Sequence, residues 1–209
     1  PSLLTQFGEY PEVLDYTKKH FLAAVSKAEP IGKIKSSEEW TDEVLDWITK
    51  KDIERGRRSQ KSDGCKWLKN GKAEGPLIGG CVPSINHLLG TRFWPDLDEA
   101  IFFIDIPEAE NFDKGLSVSA FDAFMADLDN VGVFEKINGL IIGRPFQTSS
   151  ENKKLIYDIV LKYAGNYDYP ILADANIGHS DPIITVPIGV NGVLDSEKDI
   201  FSITESGVF

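Results

Sequence analysis

The chain has 209 residues, 42% of them hydrophobic, enough for one large domain or one and a half small ones around a sizeable core. Acids outnumber bases 33 to 22, and the net charge of -11 argues against nucleic acid and anionic membrane as partners, because little would neutralise phosphates. No apolar run reaches the roughly 18 to 20 residues of a membrane span. The two cysteines, Cys65 and Cys81, suggest neither a disulfide framework nor a zinc site, so the expected setting is reducing and cytoplasmic, with no signal peptide ahead of the fold.

Pro11 to Ala28 reads as a helix, with Pro11 in its first turn and Leu14, Lys18, Phe21, Leu22 and Val25 on one face. Glu29-Pro30 ends it. Ser36 to Ile48 is expected to hold a short capped helix carrying Trp40 and Trp47. Thr49 to Gly64 is polar and without periodicity, a loop expected to wrap a surface or a site. Its stretch from Lys50 to Arg58 is the nearest thing to a basic patch, but acids interrupt it and it reads as solvated.

Cys65 to Leu68 and Gly75 to Gly80 read as strands joined by a Lys69-Asn70-Gly71 turn. Val82 to Leu89 is a short helix that Gly90 can end. Ala100 to Asp105 is a fully buried strand closing on an acid. Leu116 to Asp129 is a helix with Phe121, Phe124, Met125 and Leu128 inward. Ile137 to Ile142 is a strand, and Glu151 to Ala164 a helix with Leu155, Ile156, Ile159, Val160 and Tyr163 inward. Pro170 to Ala173 is a buried strand, Ile183 to Ile188 a second apolar run, and Val190 to Val193 a turn among short terminal strands. Continuous apolar strands alternating with amphipathic helices predict an α/β layered domain with a partly parallel sheet.

The candidate chemistry starts at Gly178-His179-Ser180-Asp181-Pro182, a turn leaving a buried strand. An imidazole there is placed to act as a general base, or it only fills the turn. Asp105, at another strand end, could hold that imidazole in one tautomer, or cap its own loop. No Gly-x-Ser-x-Gly nucleophile turn is present. Cys81 follows Gly79-Gly80 at a helix start, where a thiol pKa should fall, or it is a small core residue. The glycine pair lacks the spacing of a phosphate loop. Trp67, beside Lys66 and Lys69, could stack on a base or ring, or be a half-buried strand aromatic. His20 and His87 lie on helices and read as packing or surface residues.

Several segments resemble a known family in chain order. They are Leu3 to Pro11, Glu39 to Glu43 with Asp46-Trp47, Asn86 to Thr91, Trp94 to Asp98 with the strand to Asp105, Gly178 to Pro182, and Val186 to Val190. Together they resemble the LD-carboxypeptidase family of serine peptidases, and more closely its microcin C immunity branch. The resemblance implies the C-terminal half of a two-domain hydrolase. Residues 1–70 would form an interdomain linker and helical segment, and residues 71–209 the C-terminal α/β peptidase domain, with the N-terminal nucleophile domain absent. A chain opening on Pro1, with Met125 its only methionine, fits a processed protein or a piece of a longer one.

The family implies a Ser-Glu-His triad without metal or cofactor. It cleaves an amide beside a free carboxylate, as in murein tetrapeptides, or the bond joining an amino acid to a nucleotide-like group. His179 takes the histidine position. Asp105 takes the glutamate position one methylene short, with Glu108 as the fallback acid, and Asp105→Glu would restore the usual reach. Trp67 matches the second tryptophan of the branch's substrate-binding pair, while Cys65 stands in place of the first. The implied partners are a small peptide or aminoacyl-nucleotide-like substrate, the N-terminal domain of the same protein and a second copy in a homodimer; nucleic acid and membrane are not expected. The chain alone is expected to be inactive. The alternatives are a non-catalytic peptide- or nucleotide-binding module with the inherited fold, and a free-standing Cys81–His179 hydrolase.

Overall fold

A computed structural model describes residues 5–110 and 113–209, so Pro1 and the Leu3-Leu4 start of the first quoted segment lie outside it. In chain order it holds α1 (Asp15–Ser26), β1 (Gly32–Lys33), β2 (Glu39–Trp40), β3 (Gln60–Lys61), β4 (Lys66–Lys69), β5 (Lys72–Cys81), α2 (Val82–Asn86) and β6 (Ile101–Asp105). There follow α3 (Val118–Asn130), α4 (Val133–Lys136), β7 (Gly139–Gly143), α5 (Ser150–Ala164), β8 (Ile171–Ala175), β9 (Asn191–Asp195) and β10 (Ile200–Ile203). The result is a mixed α/β fold on an eight-stranded sheet in the order β1-β10-β9-β5-β6-β7-β8-β4. Its middle, β5 to β8, is parallel, and the flanks are antiparallel.

The parallel centre follows from composition. β6, β7 and β8 are buried at every position, as strands covered on both faces must be. The pleat sends alternate residues to opposite layers. Phe102 and Ile104 meet Phe121, Met125, Leu128 and Phe134 from α3 and α4. Ile101 and Phe103 face Leu77, Leu172, Leu194 and Ile203 on the other side. Each such side chain contributes about 1.5–3 kcal/mol by leaving water. Serines set the starts of the two long helices: Ser117 Oγ accepts from Ala120 N at 3.2 Å, and Ser149 Oγ from Asn152 N at 3.2 Å.

Several expectations are corrected. The Lys69-Asn70-Gly71 turn does not make a hairpin: β4 pairs with β8 at the sheet edge, whereas β5 is held between β6 and β9. Five register pairs with each of β6 and β9 outweigh one favourable turn. Ser36 to Ile48 is not helical. Instead β2 pairs with β3, Thr41 exchanges both backbone hydrogen bonds with Asp181, and the Trp40 ring lies 4.7 Å under the Arg144 guanidinium. Ile183 to Ile188 is irregular, its start tied by Ile183 N to Thr17 Oγ1 and Ile184 N to Asn176 O. The predicted turn at Val190 to Val193 is largely strand β9, since β5 and β10 both pair there.

On α1 the buried positions are Thr17 and Ala24, while Leu22 and Val25 are each 45% exposed. On α5, Leu155 is exposed and Tyr157 is buried. Residues 1–70 contribute β1 and β4 to the same sheet as the rest, so strand pairing crosses residue 70. Among the described residues no helix is long and apolar enough to cross a membrane.

Candidate active site

The parallel strands finish side by side, which brings their last residues together. Cys81 at the end of β5 is the register partner of Asp105 at the end of β6. One strand further, Gly143 of β7 pairs with Ala175 of β8. The chain leaving β8 then folds back over this edge. Gly143 makes room for it: a β-carbon there would sit 2.8 Å from the Ile177 carbonyl oxygen and 3.5 Å from the Asp105 Cα. Gly178 turns the chain at φ +97°, in the left-handed region that glycine tolerates.

That turn delivers His179 onto Asp105. The imidazole Nδ1 lies 2.5 Å from Asp105 Oδ2, and the His179 backbone N–H donates to Oδ1 at 3.2 Å. One buried carboxylate thus fixes both the ring and the peptide that carries it, and its shorter side chain reaches. With the proton on Nδ1, assigned from this hydrogen bond, Nε2 carries the free lone pair. The ring is 39% exposed, whereas the Asp105 side chain is 6% exposed. Glu108 Oε2 stands 3.6 Å from Nε2, beside the ring's open edge rather than in the place of Asp105. The hydrogen bond to Asp105 raises the His179 pKa above its usual 6.5, burial works against it, and the charges of Asp105, Glu108 and Asp181 add to the rise.

The loop carrying His179 is anchored by residues that the sequence reading passed over. Arg57 Nη2 donates to Asp181 Oδ2 at 2.8 Å and to Glu9 Oε2 at 2.5 Å, with Nε to Glu9 Oε1 at 3.0 Å. Its side chain is 16% exposed, so this part of the basic stretch is not solvated. Burial raises the Asp181 pKa, with the Arg57 charge opposing. Ser180 Oγ donates to the Arg144 carbonyl at 3.2 Å. The signal that could have found Arg57 is weak: its partner lies 124 residues away.

Cys81 joins the same edge. Its Sγ, an Asp105 carboxylate oxygen and a His179 ring nitrogen all lie within 4.8 Å of one another. The expectation of a lowered thiol pKa is overturned. Burial first, then the Asp105 charge, push it up to about 11, with Glu108 adding and Ser84 opposing. Helix α2 spans five residues, too short for its dipole to outweigh two acids.

Trp67 is not brought to this edge through any of these contacts. It sits on β4 opposite Leu172, donates Nε1 to Asp199 Oδ1 at 2.9 Å and packs on the second core layer. Cys65 accepts from Ser36 Oγ at 3.1 Å. His20 packs against Tyr16 with the rings tilted by 47° and their centroids 4.5 Å apart, and His87 ends α2. A cleft of about 400 Å³ opens between the segments around Glu9, Trp40, Gly56 and Pro182. Glu9, Arg57 and Asp181 of the anchor line it, and neither Asp105 nor His179 does.

Comparison with known proteins bears on the family and the fold. The family model of the LD-carboxypeptidase C-terminal domain matches residues 74–194. The microcin C7 self-immunity protein MccF of Escherichia coli is 27% identical over 208 residues, 98% of this chain and 58% of its own length. The putative carboxypeptidase YocD of Bacillus subtilis is 30% identical over 176 residues, 84% of this chain and 50% of its own. The structure of MccF in complex with glutamyl sulfamoyl guanosine shares the fold with a TM-score of 0.85 at 24% identity, over 100% of this chain and 61% of that one. An MccF-like protein from Bacillus anthracis matches with a TM-score of 0.75 at 27% identity, over 92% of this chain and 56% of that one. The chain therefore spans roughly half to three fifths of the relatives it matches.

Proposed function

The chain belongs to the LD-carboxypeptidase family through its C-terminal domain, and from that premise we propose that it supplies the acid–histidine half of a serine carboxypeptidase. The observation that carries this reading is the 2.5 Å contact between His179 Nδ1 and a buried Asp105, at the carboxyl ends of parallel strands. That is where α/β sheets collect reactive groups. The serine is assigned to an N-terminal domain, as the family resemblance implies.

In this mechanism Nε2 of His179 takes the proton of the serine hydroxyl as the oxygen attacks the amide carbonyl. The imidazolium then forms beside Asp105, whose negative charge stabilises it. His179 returns the proton to the leaving amine, which departs and leaves an ester on the serine. Water, activated by the same Nε2, hydrolyses that ester. Asp105 keeps its charge throughout and holds the tautomer that leaves Nε2 free to accept.

The proposed substrates are an amide beside a free carboxylate and an amide joining an amino acid to a nucleotide-like group. Support comes from the relatives' names, which include a self-immunity protein, putative carboxypeptidases and a probable murein peptide carboxypeptidase. The high thiol pKa of Cys81 weighs against the cysteine-hydrolase alternative. A cytoplasmic setting belongs to the same proposal, in keeping with two free thiols.

The test uses a form of the protein that carries the N-terminal domain. His179→Ala should lower kcat/KM by at least about 10³-fold on a murein tetrapeptide or an aminoacyl-sulfamoyl nucleoside. A variant as fast as its parent would overturn the assignment. A parent that binds one of these molecules without cleaving it would favour the binding-module alternative.

A further inference from the structure

We propose that Cys81, Asp105 and His179 form a zinc site, and that zinc held there switches off His179 as a base. The inhibitory half of this statement rests on the hydrolase reading above; the binding half does not. The three side chains come from β5, β6 and the loop after β8, so no stretch of sequence announces the site. Their Sγ, carboxylate oxygen and ring nitrogen lie within 4.8 Å of one another. Sulfur, nitrogen and oxygen donors in this combination suit zinc, and three protein ligands leave a fourth position for water.

The geometry is close to what the ion needs. With zinc–ligand bonds of about 2.0–2.3 Å in a tetrahedron, neighbouring donors stand roughly 3.3–3.8 Å apart. Asp105 and His179, at 2.5 Å, must part by about 1 Å to admit the ion, and the thiol, within 4.8 Å of both, must close in by no more than about 1.3 Å. Both are side-chain rotations at a rim where the His179 side chain is 39% exposed. Glu108 stands on the Nε2 side of the ring, so it adds negative potential without competing for Nδ1. Asp105 and Glu108, which add to the effect of burial on the Cys81 thiol, favour a cation in contact with it.

The protons balance simply. Zinc displaces the thiol proton to water and takes the Nδ1 lone pair of a neutral imidazole. The proton formerly on Nδ1 must then sit on Nε2. That nitrogen becomes a donor and can no longer accept a proton from a nucleophile. Binding is therefore inhibitory by tautomer as well as by position.

The experiment uses the 209-residue chain, zinc and cobalt salts, and no substrate. Zinc should protect Cys81, and not Cys65, from alkylation as read by peptide mass. Cobalt should give a thiolate charge-transfer band with one ion per chain. Cys81→Ala and His179→Ala should each weaken zinc binding by at least about 100-fold, since even changes in the outer shell of a metal site cost about 10–100-fold. Cys65→Ala should retain the cobalt band. Equal alkylation of Cys81 with and without zinc would overturn the proposal without recourse to any variant, as would a band lost with Cys65→Ala. Stoichiometric binding at Cys81, with no hydrolysis by the form that carries the N-terminal domain, would keep the site and remove the hydrolase reading.

Discussion

A β-carbon on Gly178 would lie 1.6 Å from Asp105 Oδ1, far inside any non-bonded contact. The glycine and the acid therefore depend on each other. Only a residue without a side chain lets the backbone lie against the carboxylate, and only that closeness brings the His179 N–H and ring onto its two oxygens. Gly178→Ala should cost at least about 2 kcal/mol from backbone strain and displacement together. Gly189→Ala, also at positive φ but with nothing within 4 Å of its β-carbon, should cost only about 1–2 kcal/mol. Urea denaturation of the two variants checks the contrast; equal losses would show that the Asp105 contact does not matter.

The same carboxylate sets a prediction about protons. His179 should titrate above 6.5, because of its hydrogen bond to Asp105, and His20 below 6.5, because of burial and then Lys19. Proton NMR of the ring resonances separates the two. For His179 the raised folded value means a stabilising contribution that is full below the unfolded pKa near 6.5 and fades as pH rises through the folded pKa. Asp105→Asn should bring the His179 titration down. A His179 that titrates below His20 would contradict the contact.

Asp105→Glu should lower activity rather than restore it. The carboxylate already meets the backbone N–H and the ring Nδ1 of His179, and the space a further methylene needs is taken by the Gly178 backbone. We expect Asp105→Asn to lose on the order of 10³–10⁴-fold in kcat/KM, as loss of a triad acid does elsewhere. Asp105→Glu should fall between it and the parent in the form that carries the N-terminal domain. A glutamate variant faster than its parent would mean that this edge has slack.

Arg57→Ala should unfasten the His179 loop. It leaves Glu9 and the buried Asp181 without their cation, and breaking such a pair costs up to about 3–5 kcal/mol. Arg57→Lys should recover only part of the loss, because one ammonium cannot repeat the fork to Glu9 together with the bond to Asp181. The midpoint of urea denaturation reads the stability. A midpoint unchanged in Arg57→Ala would show that the ion pairs contribute nothing to the fold.

Sequence by itself determined the elements whose signals are local. The runs Ile101 to Ile104, Leu140 to Ile142 and Ile171 to Ala173 are apolar throughout, so they had to be strands buried on both faces. Ser117 and Ser149 sit where helix starts need an oxygen. The Gly178-His179 turn could be singled out because a glycine, an imidazole and a proline cluster beside a buried strand. What tertiary structure decided was every relation between distant segments. It gave β4 to β8 rather than to its neighbour in sequence, because the edge of β8 needed a partner and β5 had two better ones. It turned Arg57 from an apparent surface charge into an anchor, because burying Asp181 is tolerable only beside a cation. It raised the Cys81 pKa instead of lowering it, first because the fold buries the thiol and then because Asp105 is adjacent in the sheet, though 24 positions away in the chain.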